Sequence, residues 1–511
     1  MHSKDEIGHF MKSKHNDHEE PLPSPSSRRD FLKASALAGL GTGLGTLAAT
    51  AEAQAQQAQG KTPRPGAVKL ASGITLGADI GATRPRPAGQ KSVHNLTTKP
   101  LEKVRVAVIG CHRGSTHAND AASIEFAELV AVCDWRKNRA EALAESIGKR
   151  TGKRPEVYGG TENIWEQMVD RDDIDVVYIA TPWEWHAPMA LRAMQRGKHA
   201  FTEVNAAVSI EDCWRLVDTS ERTQRHCVMI ENCCYGENEL FVLNMARQGV
   251  FGELNHAECA YIHDLRGLLF NLGGEGEWRR NYHKMYDGNL YPTHGLGPVA
   301  QYLGIGRGDQ FSHLVSISSP ERGLTKWRDE KNPNDGAQKN EDYIVGDMNT
   351  TMIKTALGRS ILVQHDVISP RPYTRINMLS GTGATFMDYP ARLAIDNPKQ
   401  YGLKAGSSHD WLGEEDLRTM REKFTHPLWK GLQEKAKGGG HGGMDFVMNY
   451  RLLDCIRRGA TPDMTVYDGA LWSSLLELSS RSVALGSMPV QVPDFTRGAW
   501  KTMKPLEVVS L

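Results

Sequence analysis

The segment that decides the fold is VRVAVIGCHRG, residues 104–114. Its first six residues are apolar apart from Arg105 and rich in β-branched side chains, which predicts a buried strand over Val104–Ile109. A glycine turn and a helical stretch from about Ser115 to Ile124 follow. This order is typical of a nucleotide-binding unit, in which backbone N–H groups and a helix N-terminus meet a pyrophosphate.

A second apolar strand, predicted over Ala127–Cys133, ends in Asp134, 24 residues after Gly110. A carboxylate at this position can accept hydrogen bonds from the adenosine ribose hydroxyls, and it repels a 2′-phosphate, which favours NAD over NADP. The full G-x-G-x-x-G pattern is absent, because the turn is one residue short. A plain tight turn is therefore the alternative for the glycines taken alone, while Asp134 favours the dinucleotide site.

Two further strands are predicted downstream, over Ile174–Ala180 and Lys198–Thr202, with a helix from Met189 to Arg196 between them. Strands that alternate with helices predict the α/β class and a parallel sheet. We assign residues 101–231 to a Rossmann NAD-binding domain. Residues 232–511 are assigned to a substrate-binding α+β domain.

The composition excludes several classes of protein. The 61 Lys and Arg residues balance the 61 Asp and Glu residues, without the basic block that nucleic-acid binding requires. The chain lacks the long apolar runs of a multispan membrane protein. Eight cysteines in 511 residues are too sparse for a disulfide scaffold. The 19 histidines form no metal signature, so no metal is predicted.

The first hundred residues predict export. Residues 27–33, SRRDFLK, resemble the twin-arginine motif, and an uncharged Ala/Gly-rich stretch follows over Ala34–Ala51. We therefore assign residues 1–53 to a signal peptide and expect export, already folded, by the twin-arginine translocase to the periplasm or the medium. The alternative is a flexible basic tail. Residues 54–100 are assigned to an arm or linker that a neighbouring subunit could receive.

The motifs around the later strands resemble those of the Gfo/Idh/MocA oxidoreductases. They are Thr181-Pro182, His186, Ala193-Met194, Gly197-Lys198-His199 and Glu203. The resemblance implies a Rossmann domain followed by a domain with an open, mostly antiparallel sheet. Most members carry Glu-Lys-Pro where this chain has Glu203-Val204-Asn205. Without that lysine, simple alcohol dehydrogenation of the usual type is not expected. Valine at that position is similar to the NAD-dependent glycosidases of glycoside hydrolase family 109, which usually keep the proline.

Similarity to family 109 then continues over roughly residues 104–500, through Glu231–Gly236, Gly288–Val299 and Gly439–Asp445. It implies a redox cycle on a glycoside, with α-N-acetylgalactosaminides as the leading substrate class. NAD oxidises C3 of the sugar, a base removes the C2 proton and the glycosidic oxygen leaves C1. Water then adds and the hydride returns to C3. The family also implies association into a homo-oligomer through the C-terminal sheet.

Tyr291 and His294 are the candidate catalytic residues. They stand three residues apart in a Gly-rich helix start, so both can face one cleft. Histidine exchanges protons near neutral pH, and a tyrosine hydroxyl can donate to an oxyanion. A helix-capping histidine and a packed tyrosine are the alternative. The resemblance implies that His294 is the main proton-transfer residue and that Tyr291 assists it.

The resemblance also implies the binding residues. NAD contacts fall to His112, Arg113, Asp134, Trp183, Glu184, Trp185, His186, Glu203, Val204, Asn232 and Tyr291. Substrate contacts fall to Tyr261, Arg279, Tyr291, Pro292, Thr293, His294 and Tyr373. The structural alternatives are a surface ion pair for Arg279, core packing for Tyr261 and Tyr373, and a satisfied core histidine for His186.

Other predictions concern residues outside these sets. His441 and Asp445 could form a further polar pair, and Cys233 and Cys234 are interpreted as buried. Two other functions stay open from the sequence. One is an exported NAD-dependent sugar dehydrogenase or oxidoreductase, and the other is a non-catalytic sugar-binding homologue.

Overall fold

The computed structural model describes residues 66–271, 273–331, 338–404 and 409–510. The predicted signal peptide, residues 1–53, lies outside them. Among the described residues, none of the helices combines the length and the apolar character that crossing a membrane requires.

The described part of the predicted arm packs against its own chain. It begins with a two-stranded antiparallel ribbon, β1 (Val68–Lys69) and β2 (Thr75–Leu76). Further on, Arg86 Nε lies 2.9 Å from Glu221 Oε2, and the N–H of Val93 donates to Tyr467 Oη at 3.0 Å. These two contacts reach the nucleotide-binding half and the substrate half respectively. Contact with a neighbouring subunit stays a prediction.

The N-terminal half is built on a six-stranded parallel sheet with the order β5-β4-β3-β6-β7-β8. Its strands are β3 (Val104–Ile109), β4 (Ala127–Asp134), β5 (Glu156–Gly159), β6 (Val176–Ile179), β7 (His199–Thr202) and β8 (Cys227–Met229). The connecting helices are α1 (Gly114–Ala121), α2 (Lys137–Thr151), α3 (Trp165–Val169), α4 (Trp183–Gln195) and α5 (Ile210–Thr223). The strand order changes direction between β3 and β6, and ligands of open α/β sheets bind in the crevice at such a point.

The predicted strand Val104–Ile109 is confirmed residue for residue. The predicted start of the helix at Met189 is wrong, because α4 begins at Trp183. Pro182 at the N-cap, with a φ of −56°, and Glu184 in the first turn both favour a helix start there. The early start brings the aromatic side chains of this segment to the edge of the crevice.

The C-terminal half contains an eight-stranded sheet with the order β15-β14-β13-β9-β12-β11-β10-β16. Its strands are β9 (Leu254–Ile262), β10 (Phe311–Ser318), β11 (Asn349–Thr355), β12 (Ser360–Asp366), β13 (Met378–Gly381), β14 (Ala384–Met387), β15 (Arg392–Ile395) and β16 (Val490–Gln491). Among the pairings of these strands, β9–β12 is parallel and the others are antiparallel. The expected α/β class with a mostly antiparallel second sheet is therefore confirmed.

In the part of the chain that the structure describes, ten α-helices accompany this sheet in the C-terminal half. They are α6 (Glu237–Arg247), α7 (Arg266–Leu269), α8 (Gly276–Met285), α9 (Thr293–Leu303), α10 (Gly323–Lys331), α11 (Glu414–Phe424), α12 (Pro427–Ala436), α13 (Met444–Arg458), α14 (Val466–Ser473) and α15 (Leu475–Ala484). Helices α9 and α15 pack on the sheet, while α13 and α14 pack against α1 and α5. One hydrophobic core runs through both halves, which fixes the crevice between them.

Candidate active site

A cavity of about 860 Å³ opens at the carboxyl ends of β3, β4, β6 and β7. Residues from the C-terminal half complete its wall; they are Asn232, Tyr261, Trp278, Arg279, Asn281, Tyr291, His294 and His441, together with the segment around Gly273–Glu277. A concave site at the strand-order switch, lined by aromatic rings and a few polar groups, is the usual form of a ligand site in this type of fold.

The glycine turn is tight because two backbones meet there. Gly110 has a φ of +90°, and a Cβ on it would lie 2.3 Å from the carbonyl oxygen of Ala180. A Cβ on Gly114 would lie 2.8 Å from Val108 Cγ1. Both positions therefore need glycine, although the turn is shorter than the usual pattern. The turn brings the N-terminus of α1 to the cavity.

Asp134 is fixed at the end of β4 by two backbone donors. Its Oδ2 accepts from the N–H of Cys111, and its Oδ1 accepts from the N–H of Arg136, both at 2.9 Å. Each carboxylate oxygen keeps a second lone pair. The predicted role toward a ribose is therefore compatible with these contacts.

Arg113 links the glycine turn to both sides of the cavity. Its Nε donates to Glu203 Oε1 at 2.6 Å, and its two terminal nitrogens donate to the carboxylate of Asp445 at 2.9 and 3.0 Å. Burial alone would raise the pKa of Glu203, but Arg113 and His117 outweigh it and hold that pKa well below its usual range. The sequence predicted Arg113 and Glu203 as NAD contacts; the structure pairs them with each other at the cavity wall.

Asp445 also holds two other cavity residues. Asn232 Nδ2 donates to Asp445 Oδ1 at 2.7 Å, and His441 Nδ1 lies 2.8 Å from Asp445 Oδ2. The predicted polar pair of His441 and Asp445 is therefore confirmed. His441 stands in the glycine-rich turn before α13 with a φ of +51°, and its side chain is 56% exposed. Because Asp445 engages Nδ1, the Nε2 atom is the nitrogen left for a ligand.

The aromatic segment after Pro182 divides into cavity and non-cavity residues. Trp183 lines the cavity, donates from Nε1 to Val204 O at 2.9 Å, and contacts the rings of Trp278 and Tyr291. Trp185 also lines the cavity, as does the exposed His112 of the glycine turn. Glu184 does not line it; this exposed carboxylate lies 3.3 Å from the hydroxyl of Tyr282.

His186 lines the cavity but is engaged by the backbone on both sides. Its Nδ1 lies 2.6 Å from the carbonyl oxygen of Asn205, and its Nε2 lies 2.8 Å from that of Thr181. Burial lowers the pKa of this imidazole, against the effect of the two carbonyl groups. These contacts match the alternative of a satisfied core histidine, and its NAD role stays a prediction.

Val204 and Asn205 replace the lysine and proline of the wider family with uncharged groups. Val204 lines the cavity, and the peptide bond between the two residues is cis. Asn205 is fully buried and donates from Nδ2 to Leu290 O at 3.1 Å. This hydrogen bond ties the nucleotide-binding half directly to the segment that carries Tyr291.

Tyr291, His294 and Glu231 form a continuous hydrogen-bonded row. Tyr291 Oη lies 3.3 Å from His294 Nε2, and His294 Nδ1 lies 2.7 Å from Glu231 Oε1. Burial alone would raise the pKa of Glu231, but His294 outweighs it and lowers that pKa. In the tautomer that donates from Nδ1 to the Glu231 carboxylate, Nε2 carries the lone pair and faces the Tyr291 hydroxyl. Burial keeps the pKa of Tyr291 well above its usual value, so its hydroxyl is protonated.

Sequence reasoning placed His294 and Tyr291 correctly beside each other but missed Glu231. The capping alternative for His294 is wrong, since α9 begins at Thr293 without a side-chain cap. Glu231 lies two residues after β8 ends at Met229, at the carboxyl end of a buried parallel strand. An acidic residue at such a strand end was the available signal.

Arg279 is enclosed by aromatic rings. Its guanidinium carbon lies 4.9 Å from the ring centre of Tyr291, 5.6 Å from that of Trp278 and 5.7 Å from that of Trp183. Its ion pair with Glu275 at 3.4 Å involves a side chain that is only 11% exposed. The alternative of a surface ion pair is therefore wrong. Tyr261 stacks on Tyr291 at 4.3 Å and faces the same cavity, so both tyrosines are packed and accessible to a ligand.

Three predicted substrate residues lie outside the cavity wall. Pro292 and Thr293 are buried at the start of α9. Tyr373 is 42% exposed and contacts His263 edge-on, 5.0 Å between ring centres. The pairing of Ile262 with Thr374 sets Tyr373 beside His263, beyond Tyr261 along the sheet. Its contact with substrate stays a prediction.

Potential metal ligands also meet at this site. Within the described ranges, the potential ligand atoms of Glu231, Cys233 and His294 lie within 4.8 Å of one another, which is close enough to share a metal ion. Cys233 and Cys234 are both buried, as expected. Glu231 and His294 already bond to each other, and the absence of a metal requirement stays a prediction.

Comparison with known proteins identifies the family. Residues 104–231 match the family model described as "Oxidoreductase family, NAD-binding Rossmann fold", and residues 235–502 match "Glycosyl hydrolase 109, C-terminal domain". The chain belongs to glycosyl hydrolase family 109. Both resemblances expected from the sequence, and NAD as the cofactor, are thereby confirmed. The close approach at Gly110 and the carboxylate of Asp134 are compatible with NAD in the crevice.

Other family 109 proteins align along most of the chain. A "Glycosyl hydrolase family 109 protein" of Shewanella baltica is 46% identical over 443 residues, which cover 86% of this chain and 95% of that protein. An "Alpha-N-acetylgalactosaminidase" of Shewanella oneidensis has the same identity and coverage.

Solved structures of lower identity share the fold of this family 109 chain. Levoglucosan dehydrogenase in complex with NADH and levoglucosan aligns with a TM-score of 0.56 and 20% identity, over 76% of this chain and 99% of that one. An NAD-binding oxidoreductase from Klebsiella pneumoniae aligns with a TM-score of 0.58 and 16% identity, over the same shares. At this identity the likeness extends to the fold alone.

Proposed function

We propose that this protein is an NAD-dependent glycosidase that cleaves α-N-acetylgalactosaminides. The observation that carries the proposal is the Tyr291–His294–Glu231 row, which places the imidazole of His294 in the crevice of an NAD-binding fold. The uncharged Val204 in place of a lysine counts against a simple dehydrogenase. The name of the Shewanella oneidensis relative supports the substrate class.

Proton transfer at C2 of the sugar falls to His294. NAD, when bound, would supply the hydride acceptor and donor that convert the C3 alcohol to a ketone and back, with the hydroxyl proton released to water and taken up again on re-reduction. A C3 ketone acidifies the C2–H bond, so His294 Nε2 can take that proton while Glu231 stabilises the resulting imidazolium. The protonated hydroxyl of Tyr291 donates to the oxyanion that develops. The C1–O bond then breaks by elimination.

The departing oxygen needs a proton donor of its own, and His441 is the candidate. This imidazole lines the cavity, and Asp445 fixes its tautomer through Nδ1. Arg113 and Asn232 fix the carboxylate of Asp445 in place, and this carboxylate in turn fixes the orientation of the His441 ring. His441 would protonate the leaving group and then remove a proton from the water that adds to C1. Two histidine–carboxylate pairs thus divide the proton transfers at C2 and at the glycosidic oxygen.

Simultaneous measurement of two signals tests the proposed function. The purified holoenzyme is given 4-nitrophenyl α-N-acetylgalactosaminide, and nitrophenol release is followed together with NADH absorbance. Release without net NADH, lost when NAD is removed and restored when it is added back, is the expected result. NADH accumulation on free N-acetylgalactosamine without release from the glycoside would instead establish a dehydrogenase. Stoichiometric sugar binding with neither signal would establish a binding protein.

Export in the folded state is part of the same proposal. The twin-arginine motif at Arg28 and Arg29 supports it, because a folded protein can leave the cytoplasm with NAD already bound. Replacing both arginines by lysine should retain the protein in the cytoplasm, as cell fractionation would reveal. Unchanged periplasmic or extracellular protein would refute this route.

Self-association is proposed for the open face of the eight-stranded sheet. Ile317 on β10 and Met352 on β11 are 59% and 44% exposed on it. Light scattering should report an oligomer, and Ile317→Lys with Met352→Lys should reduce it to a monomer. A monomeric wild-type protein at micromolar concentration would contradict the proposal.

A further inference from the structure

One large aromatic side chain at the cavity is unusually exposed. Trp135 follows Asp134 directly, lines the cavity and is 61% exposed. The guanidinium carbon of Arg136 lies 4.8 Å from the centre of its ring. An indole supported by a cation at the edge of a ligand site offers a ready stacking surface for a flat ligand group.

The same end of the cavity is bridged from the C-terminal half. Arg136 Nη1 and Arg139 Nη2 each donate to the carbonyl oxygen of Gly273 at 3.2 Å. Arg136 Nη2 lies 3.9 Å from Glu277 Oε2. Gly273 and Glu277 also line the cavity. Two arginines of the nucleotide-binding half thus hold a segment of the other half beside Trp135.

We propose that Trp135, supported by Arg136, is the stacking platform for the adenine of NAD, and that the Arg136–Gly273–Arg139 contact slows NAD release. In NAD the adenine is joined to a ribose, and Asp134 is placed to accept hydrogen bonds from the hydroxyls of that ribose. The next residue along the chain is therefore within reach of the base. Indole stacks on a purine without needing a particular pattern of hydrogen-bond donors and acceptors.

Slow release of NAD suits a reaction cycle that regenerates NAD, and in this respect the inference rests on the proposed redox cycle. NAD that ends each turnover in its starting form has no reason to leave between turnovers. A protein exported with its cofactor also benefits, because little NAD is available to replace it. Slow release is thus more valuable here than in a dehydrogenase that must exchange NADH for NAD after each reaction.

The test measures NAD binding without turnover. Purified holoenzyme is diluted into buffer, and loss of bound NAD is followed by ultrafiltration and chromatography; the emission of 1,N6-etheno-NAD reports adenine stacking after exchange. Trp135→Ala should weaken NAD binding by about tenfold or more and relieve the quenching of the etheno-adenine. Trp135→Phe should restore most of both effects. Arg139→Gln, which leaves the Trp135 stack intact, should speed NAD loss by roughly threefold or more.

The matched control is Trp411, which is 39% exposed and lies 5.1 Å from the guanidinium of Arg392, away from the cavity wall. Trp411→Ala should leave NAD retention and etheno-NAD quenching unchanged. The proposal is overturned if Trp135→Ala retains NAD as the wild type does. It is also overturned if Trp135→Ala and Trp411→Ala lose NAD equally. Because no sugar is present, failure of the glycosidase proposal would leave this result readable.

Discussion

The two histidine–carboxylate pairs of the cavity differ in how they are held. His294 is 15% exposed and its partner Glu231 is fully buried, between the end of β8 and the start of α9. His441 is 56% exposed, and Asp445 is shared with Arg113 and Asn232. A base that removes a carbon-bound proton needs precise placement, whereas a residue that serves varied leaving groups needs an open side. Burial, rather than residue type, therefore separates the two proposed roles.

The largest expected effect belongs to His294. His294→Ala should lower kcat by about a thousandfold or more, since general-base catalysis contributes up to about 10⁴-fold. NAD should stay bound, because the imidazole is proposed to act on the sugar. Steady-state kinetics and the NAD content of the purified variant check this prediction. Turnover close to wild type would show that the buried pair is not the base.

Glu231→Gln should produce the next largest loss. The amide keeps the volume but removes the charge that sets the tautomer of His294 and stabilises its imidazolium, so kcat should fall about a hundredfold. The pH–rate profile should also change, because the variant loses an ionisable carboxylate beside the proposed base. The control is Glu239→Gln, at a buried carboxylate that pairs with Arg375. This variant should leave kcat unchanged. If Glu231→Gln kept both the rate and the pH profile, Glu231 would be only a structural residue.

His441→Ala should have a smaller effect that depends on the leaving group. With nitrophenol, which leaves without much protonation, the rate should fall by about tenfold or less. When the leaving group is a hydroxyl of a second sugar, the rate should fall by nearly a hundredfold. Kinetics on a series of aglycones of increasing pKa measures the difference as a slope. Equal losses across the series would assign His441 to binding instead.

The sequence was informative where the chemistry is local in the chain. A buried parallel strand reads as a continuous apolar run, which is why β3 could be placed residue for residue. Tyr291 and His294 were found because they stand only three residues apart, on either side of the start of α9. Glu231 lies 63 residues from His294, and Asp445 lies 332 residues from Arg113. Their meeting depends on how the two halves pack, which no local pattern encodes.

The smallest expected effect concerns the stability of the folded protein at acid pH, to which three buried histidines contribute. Burial lowers the pKa of His263 and His283 to about 4 and that of His365 to about 3. In the unfolded chain these groups take up protons near pH 6.5, whereas the folded protein resists protonation until near pH 4. Stability should therefore be full above about pH 6.5 and decline toward pH 4. Thermal melting at pH 7 and pH 5 checks this, and an equal or higher Tm at pH 5 would contradict it.

The central claim is that a base in this cavity removes and returns the C2 proton during each cleavage. Hydrolysis of the α-N-acetylgalactosaminide in D₂O, with the product examined by NMR and mass spectrometry, tests it directly. The account predicts a product that carries deuterium at C2 and protium at C3, with no net formation of NADH. A product cleaved with the original protium still at C2 would contradict it.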